Sequence, residues 1–85
     1  WRTSGGDEVD LIIERNGRFT AIECKYNEVV AESSSKGLRV FTGDYGAENV
    51  RERYIACRTT IPYPLNDGIT AIPGSRIVEY LHMET

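Results

Sequence analysis

The stretch Glu8-Val9-Asp10-Leu11-Ile12-Ile13-Glu14-Arg15-Asn16-Gly17-Arg18-Phe19-Thr20-Ala21-Ile22-Glu23-Cys24-Lys25 decides the fold. Two runs rich in β-branched and apolar residues flank Asn16-Gly17, the strongest short-range signal for a hairpin closed by a type I′ turn. With Asn16 and Gly17 as the loop, Asp10 faces Glu23 and Glu8 faces Lys25. Facing Cβ atoms in such a pair lie about 4.5–5.5 Å apart, and like charges there repel. A fold that keeps two carboxylates so placed has something cationic to set between them, which points to a metal site. Side chains alternate along a strand, so Val9, Leu11, Ile13, Ile22 and Cys24 are expected to share one apolar face. Glu8, Asp10, Ile12, Glu14, Phe19, Ala21, Glu23 and Lys25 then share the other. A slip of one residue would exchange the faces, so burial and the turn fix the same register. Ile12 and Ala21 make an apolar step beside the acids, so the carboxylates are expected to border a cleft. The same face is also what half-buried antiparallel strands ordinarily show to water, with Glu8 and Lys25 as an ion pair of small worth.

Asp10 followed by Glu23-Cys24-Lys25 on the second strand of a hairpin resembles the core of the PD-(D/E)XK nuclease superfamily. Trp1-Arg2-Thr3-Ser4-Gly5-Gly6-Asp7-Glu8-Val9-Asp10, Ile22-Glu23-Cys24-Lys25 and Lys36-Gly37-Leu38-Arg39-Val40-Phe41 are together similar to an uncharacterised C-terminal domain. That domain lies behind the ATP-binding module of bacterial and archaeal AAA-type ATPases, and the resemblance runs from Trp1 to about Leu81. It implies an α/β (α+β) fold: a small mixed β-sheet with a central antiparallel hairpin flanked by helices, a restriction-endonuclease-like core. It also implies that Asp10 and Glu23 are ligands of Mg²⁺ or Mn²⁺, with the Cys24 backbone carbonyl as a further ligand. Lys25 matches the lysine that positions the attacking water and neutralises charge on the phosphate. The physical chemistry agrees. Mg²⁺ takes oxygen ligands and keeps several waters, so one or two carboxylates suffice, and a cation beside the phosphate stabilises charge in the transition state. The superfamily's further acid, on a helix before the first core strand, has no counterpart in this chain. Glu8 lies on the right face and is read as an ion-pair residue.

Eighty-five residues make one small domain, a size at which a single core is marginal and association with something else is favoured, a second copy included. Because it begins with Trp1 rather than Met, it is expected to be a C-terminal fragment of a longer protein, with an AAA-type ATPase module upstream in the same chain. Hydrophobic residues at 40% and charged residues at 27% exclude a disordered chain. No apolar stretch nears the ~20 residues that span a membrane, and no signal-peptide pattern is present. Cys24 and Cys57 read as reduced thiols, which together with those absences points to the cytoplasm. There is no zinc spacing, and His82 stands alone near the C-terminus.

A net charge of −3 argues against binding nucleic acid through the whole surface. Arg15 and Arg18 nevertheless flank the turn, Lys36 and Arg39 follow the acidic strand, and Arg51, Arg53 and Arg58 come later. They line a phosphate path or are solvated surface. Beyond the hairpin, Tyr26 to Ser33 is expected as loop, and Ser34 or Ser35 as the N-cap of a helix with Leu38, Val40 and Phe41 that ends near Gly43. Arg53 to Arg58 is expected as a strand parallel to the lysine strand, with a turn at Asn66-Asp67-Gly68 and a short strand at Ile69 to Ile72. Ser75 is expected to cap a final helical turn or two. Three functional classes follow: a metal-dependent hydrolase of nucleic-acid phosphodiesters, DNA favoured over RNA; a nuclease-fold module that binds nucleic acid or regulates an attached ATPase without cutting; and a plain interaction domain.

Overall fold

The hairpin forms with the expected register. In a computed structural model that describes residues 1–25, 30 and 32–81, the side chains of 32 and 33 aside, β1 (Leu11–Arg15) pairs antiparallel with β2 (Arg18–Cys24). Leu11 lies opposite Ile22, and Arg15 opposite Arg18. Asn16 (φ 54°) and Gly17 (φ 78°) close the loop, both left-handed as the type I′ turn requires.

β3 (Val50–Cys57) runs parallel to β2, and β5 (Ile69–Pro73) runs parallel to β3. β4 (Tyr63–Pro64) adds antiparallel to β5, giving a five-stranded mixed sheet in the order β1-β2-β3-β5-β4. Parallel neighbours need a crossover, and the one between β2 and β3 contains α1 (Lys36–Tyr45). β3 starts earlier than Arg53 because pairing continues past a register shift at Phe19/Thr20, where the Phe19 N–H donates to the Asn49 carbonyl at 2.7 Å. β4 was hidden in the sequence by Pro62 and Pro64; an edge position tolerates the missing donor. The turn at Asn66–Gly68 is as expected, with Asp67 (φ 61°) and Gly68 (φ 71°) left-handed.

Both faces of the sheet are covered, unequally. α1 lays Leu38, Phe41 and Thr42 on the face that carries Ala21, and Val9, Val50, Ile55 and Ile69 complete this main core. Phe41 stacks against Trp1, Phe19 and Tyr45 with ring centroids 5.2, 5.6 and 4.6 Å away. On the other face a smaller cluster of Ile22, Ala56 and Ile72 packs under Ile77, Tyr80 and Leu81, the first two from the 3₁₀ segment Gly74–Tyr80. The face expected to be apolar is buried at Ile22, but the acid-bearing face is buried too, at Ala21 and Glu23. The face with the acids is the deeper one, and Leu11 on the face expected to be apolar is exposed.

Val9 also leaves its expected face. Its N–H donates to the Trp1 carbonyl at 2.9 Å, and its own carbonyl accepts from the Trp1 nitrogen at 3.0 Å. The chain bends at Asp10, which turns Val9 into the main core. Glu8 pairs with Arg2 at 3.2 Å instead of with Lys25. The helix too differs at both ends. Ser35 makes no side-chain cap but accepts from Arg39, and α1 continues through Gly43 to stop at Gly46 (φ 93°), whose N–H donates to the Thr42 carbonyl at 2.8 Å. A Cβ on Gly37 would lie 2.1 Å from the Glu8 carbonyl oxygen, so the helix backbone rests directly on the segment that leads into Asp10. The expected loop over 26–33 lies largely outside the described residues, as does His82. Among the described residues no helix is long and apolar enough to cross a membrane.

Candidate metal and phosphate site

Asp10 stands where the β1–β2 ladder ends. Because Trp1 takes both backbone groups of Val9, the Cys24 N–H finds no carbonyl there, and it donates to Asp10 Oδ2 at 2.9 Å. The Asp10 N–H in turn donates to Glu23 Oε1 at 3.2 Å. The two acids are thus tied together through each other's strand. Lys25 Nζ lies 3.6 Å from Glu23 Oε2. The Lys25 N–H points to β3, where it donates to the Ala56 carbonyl at 2.8 Å, while the Cys24 N–H points to the β1 side. A strand residue sends its N–H and C=O to the same side, so the Cys24 carbonyl opens toward Asp10. The structure therefore gathers all four groups singled out in the sequence: the Asp10 and Glu23 carboxylates, the Cys24 carbonyl and the Lys25 ammonium.

Their electrostatics follow from unequal burial. Glu23 is only 6% exposed, under α1, while Asp10 is exposed at the sheet edge. Desolvation, then the hydrogen bond and negative charge of Asp10, push the Glu23 carboxyl up to about 7; Lys25 opposes the shift. Asp10 is held below the usual carboxylate range, first by the hydrogen bond from Glu23 and then by the Cys24 N–H and Lys25. Near neutral pH Glu23 is therefore about half protonated beside an ionised Asp10, and where it carries the proton it can donate to Asp10. Burial and the two acids raise the Cys24 thiol, so it is no activated nucleophile.

The donor set fits a hard divalent cation. Two adjacent carboxylates, one of which keeps its proton up to about pH 7, form a place where a cation can replace that proton, and Mg²⁺ needs no more than one or two such ligands beside water. Among the described residues no group of three or more His, Cys, Asp or Glu side chains assembles, so Asp10, Glu23 and the Cys24 carbonyl are the donors in question.

Lys25 and Cys24, but neither Asp10 nor Glu23, line a cavity of about 550 Å³ at the carboxyl ends of the parallel strands β2, β3 and β5, the edge at which open α/β sheets characteristically bind ligands. Arg58, Thr59, Thr60 and Arg76 line it with Lys25. Arg76 was not among the basic residues singled out in the sequence. Its signal is its place just after β5, which becomes readable once the parallel strands are recognised. Arg76 is held by Glu79 through two hydrogen bonds at 2.8 and 2.9 Å, and Lys36 and Arg39 are tied into the fold by Asp7 at 3.5 Å and Asp67 at 3.9 Å. Arg53 is packed beside Gly68, with its buried Nε lacking a hydrogen-bond partner.

The family model of a domain of unknown function, DUF4143, matches residues 1–77. The chain belongs to this family. The match spans the hairpin, α1, every strand of the sheet and the start of the C-terminal 3₁₀ segment, so the DUF4143 domain contains the whole candidate site. No curated protein and no solved structure matches this DUF4143 chain.

Proposed function

We propose that this domain hydrolyses phosphodiester bonds of nucleic acid with Mg²⁺ or Mn²⁺ held by Asp10 and Glu23, DNA being favoured over RNA. The observation that carries the reading is the pair of cross-bonded carboxylates with the Lys25 ammonium 3.6 Å from Glu23; Lys25 also lines a cavity that holds hydroxyl and cationic side chains. When bound, the cation supplies Lewis acidity at a phosphoryl oxygen and acidifies a water. The chain's own contribution is orientation and charge. Asp10 and Glu23 hold the cation, and the Cys24 carbonyl offers a further oxygen. The Lys25 ammonium, partly exposed toward the cavity, offsets charge that builds on the phosphate. Arg58, Thr59 and Thr60 supply donors for a neighbouring phosphate. An AAA-type ATPase module in the same chain is the partner we expect.

The second reading is a nuclease-fold module that binds without cutting. It is favoured by the lack, among the described residues, of a third acid beside the pair. Cleavage of labelled single- and double-stranded DNA and RNA separates the two. The proposal expects metal-dependent cutting that falls by roughly 10²-fold or more in Lys25→Ala and in Glu23→Gln. Cutting that persists in Asp10→Asn and Lys25→Ala would sink the mechanism. Metal and oligonucleotide binding without cutting would leave the binding module.

A further inference from the structure

At the opposite end of the hairpin from the acids a second cavity, of about 780 Å³, opens among Arg15, Asn16, Arg18, Thr20 and Arg51. The register sets Arg15 directly opposite Arg18, and like charges so placed destabilise a strand pair. Arg51 joins them from β3, beside the register shift at Phe19/Thr20. None of the three arginines forms an ion pair with a described residue, although the chain has more acids than bases. Glu52, in the cavity wall, accepts hydrogen bonds from the Thr20 hydroxyl at 3.2 Å and the Tyr54 hydroxyl at 2.8 Å. Three guanidiniums, against the single Glu52 carboxylate, thus line one concavity with Ile13 and Leu81 as apolar wall.

We infer that this cavity is a second ligand site, separate from the carboxylate pair, that takes nucleotide phosphate groups on Arg15, Arg18 and Arg51. The planar fork of a guanidinium matches phosphate oxygens two at a time. A phosphate would relieve the Arg15–Arg18 repulsion, as a cation relieves the Asp10–Glu23 repulsion at the other end. The volume falls in the range of roughly 300–1,000 Å³ typical of small-molecule sites, and the apolar wall suits a sugar or base attached to that phosphate. Two sources share this chemistry: a nucleic-acid strand crossing the hairpin tip, and a free mononucleotide. In its choice of ligand the inference rests on the nucleic-acid reading, but it does not use the carboxylates.

The test is binding of a fluorescein-labelled single-stranded oligonucleotide, followed by anisotropy in EDTA over a salt series, so that failure of cleavage and failure of this site are seen separately. The Arg15→Gln/Arg18→Gln double variant and Arg51→Gln are compared with Arg2→Gln, which removes a charge elsewhere. We expect the double variant to bind roughly tenfold or more weakly, with a salt slope shallower by about 0.7 for each phosphate no longer neutralised, and Arg2→Gln to bind as the parent does. Inorganic phosphate should raise the melting temperature of the parent and not of the double variant, which also reports that the variant is folded. Competition by AMP assigns the site to a free nucleotide, and its failure assigns it to the strand; either supports the inference. Unchanged binding in the double variant, an equal loss in Arg2→Gln, or equal competition by poly-glutamate would overturn it.

Discussion

Asp10 and Glu23 have identical chemistry and opposite environments, and their difference has a sign that can be measured. Glu23 takes up its proton more readily in the folded chain, so its contribution to stability is complete below about 4.5 and is lost as pH rises through about 7. Asp10 behaves the other way, with a contribution present above about 3.8 and lost as pH falls through its lowered folded value. Metal-free protein should therefore be less stable at pH 8 than at pH 5.5, by roughly 1–3 kcal/mol from Glu23. Glu23→Gln keeps an acceptor for the Asp10 N–H and removes the charge, so urea unfolding of that variant should show the difference largely abolished. Asp10→Ala leaves the Cys24 N–H without its acceptor and should cost about 1–2 kcal/mol, whereas Asp10→Asn keeps an oxygen there and should cost less. Calorimetric melting of the two variants side by side measures that gap.

At the scale of elements, two glycines of α1 make opposite predictions. Gly37 lies against the Glu8 carbonyl, so Gly37→Ala must push the helix away from the segment that sets Asp10, and should cost about 1–3 kcal/mol. A Cβ on Gly43 meets nothing, so Gly43→Ala should stabilise by up to about 1 kcal/mol through helix propensity alone. Thermal melts that move in the same direction for both would contradict this packing. These glycines also show what the sequence could and could not tell. Asn16-Gly17 is a local signal with one backbone solution, so turn and register were legible from it. Gly43 resembled a helix stop, yet the left-handed residue is Gly46, and the last turn is held by the Phe19 and Phe41 rings against Tyr45 and by the Asn49 amide, which donates to the Tyr45 carbonyl at 2.9 Å. That both faces of the hairpin are covered was not legible either. Alternation says which residues share a face, but the choice of face for α1 depends on Phe19 and Ala21 meeting Phe41 and Leu38 from far along the chain.

For the molecule as a whole, charge is arranged by position rather than by amount. The site acids and Lys25 lie at one end of the hairpin, the unpaired arginines at the other, and the net −3 conceals both. The acid pair was readable in the sequence because it follows from register. The cavity at the carboxyl edge was not, since it needs Lys25, Arg58 and Arg76 from the ends of three strands separated in sequence. Cys24 and Cys57 line that cavity and give it a reporter. With its raised thiol, Cys24 should react slowly with iodoacetamide at pH 7, and an oligonucleotide held at this edge should slow it further. Peptide mapping after timed alkylation measures both rates, and a Cys24 rate indifferent to saturating oligonucleotide would place the ligand elsewhere.

The Asp10 carboxylate finishes a strand as well as facing Glu23. Selection for folding alone would then keep an acid or amide at this position, even in a lineage whose members had ceased to cut anything. Among the described residues the Lys25 side chain has no such architectural duty and pairs with Glu23 alone. Under the proposed hydrolysis, the lysine would be the column that separates cutting from non-cutting DUF4143 sequences, and the aspartate would not.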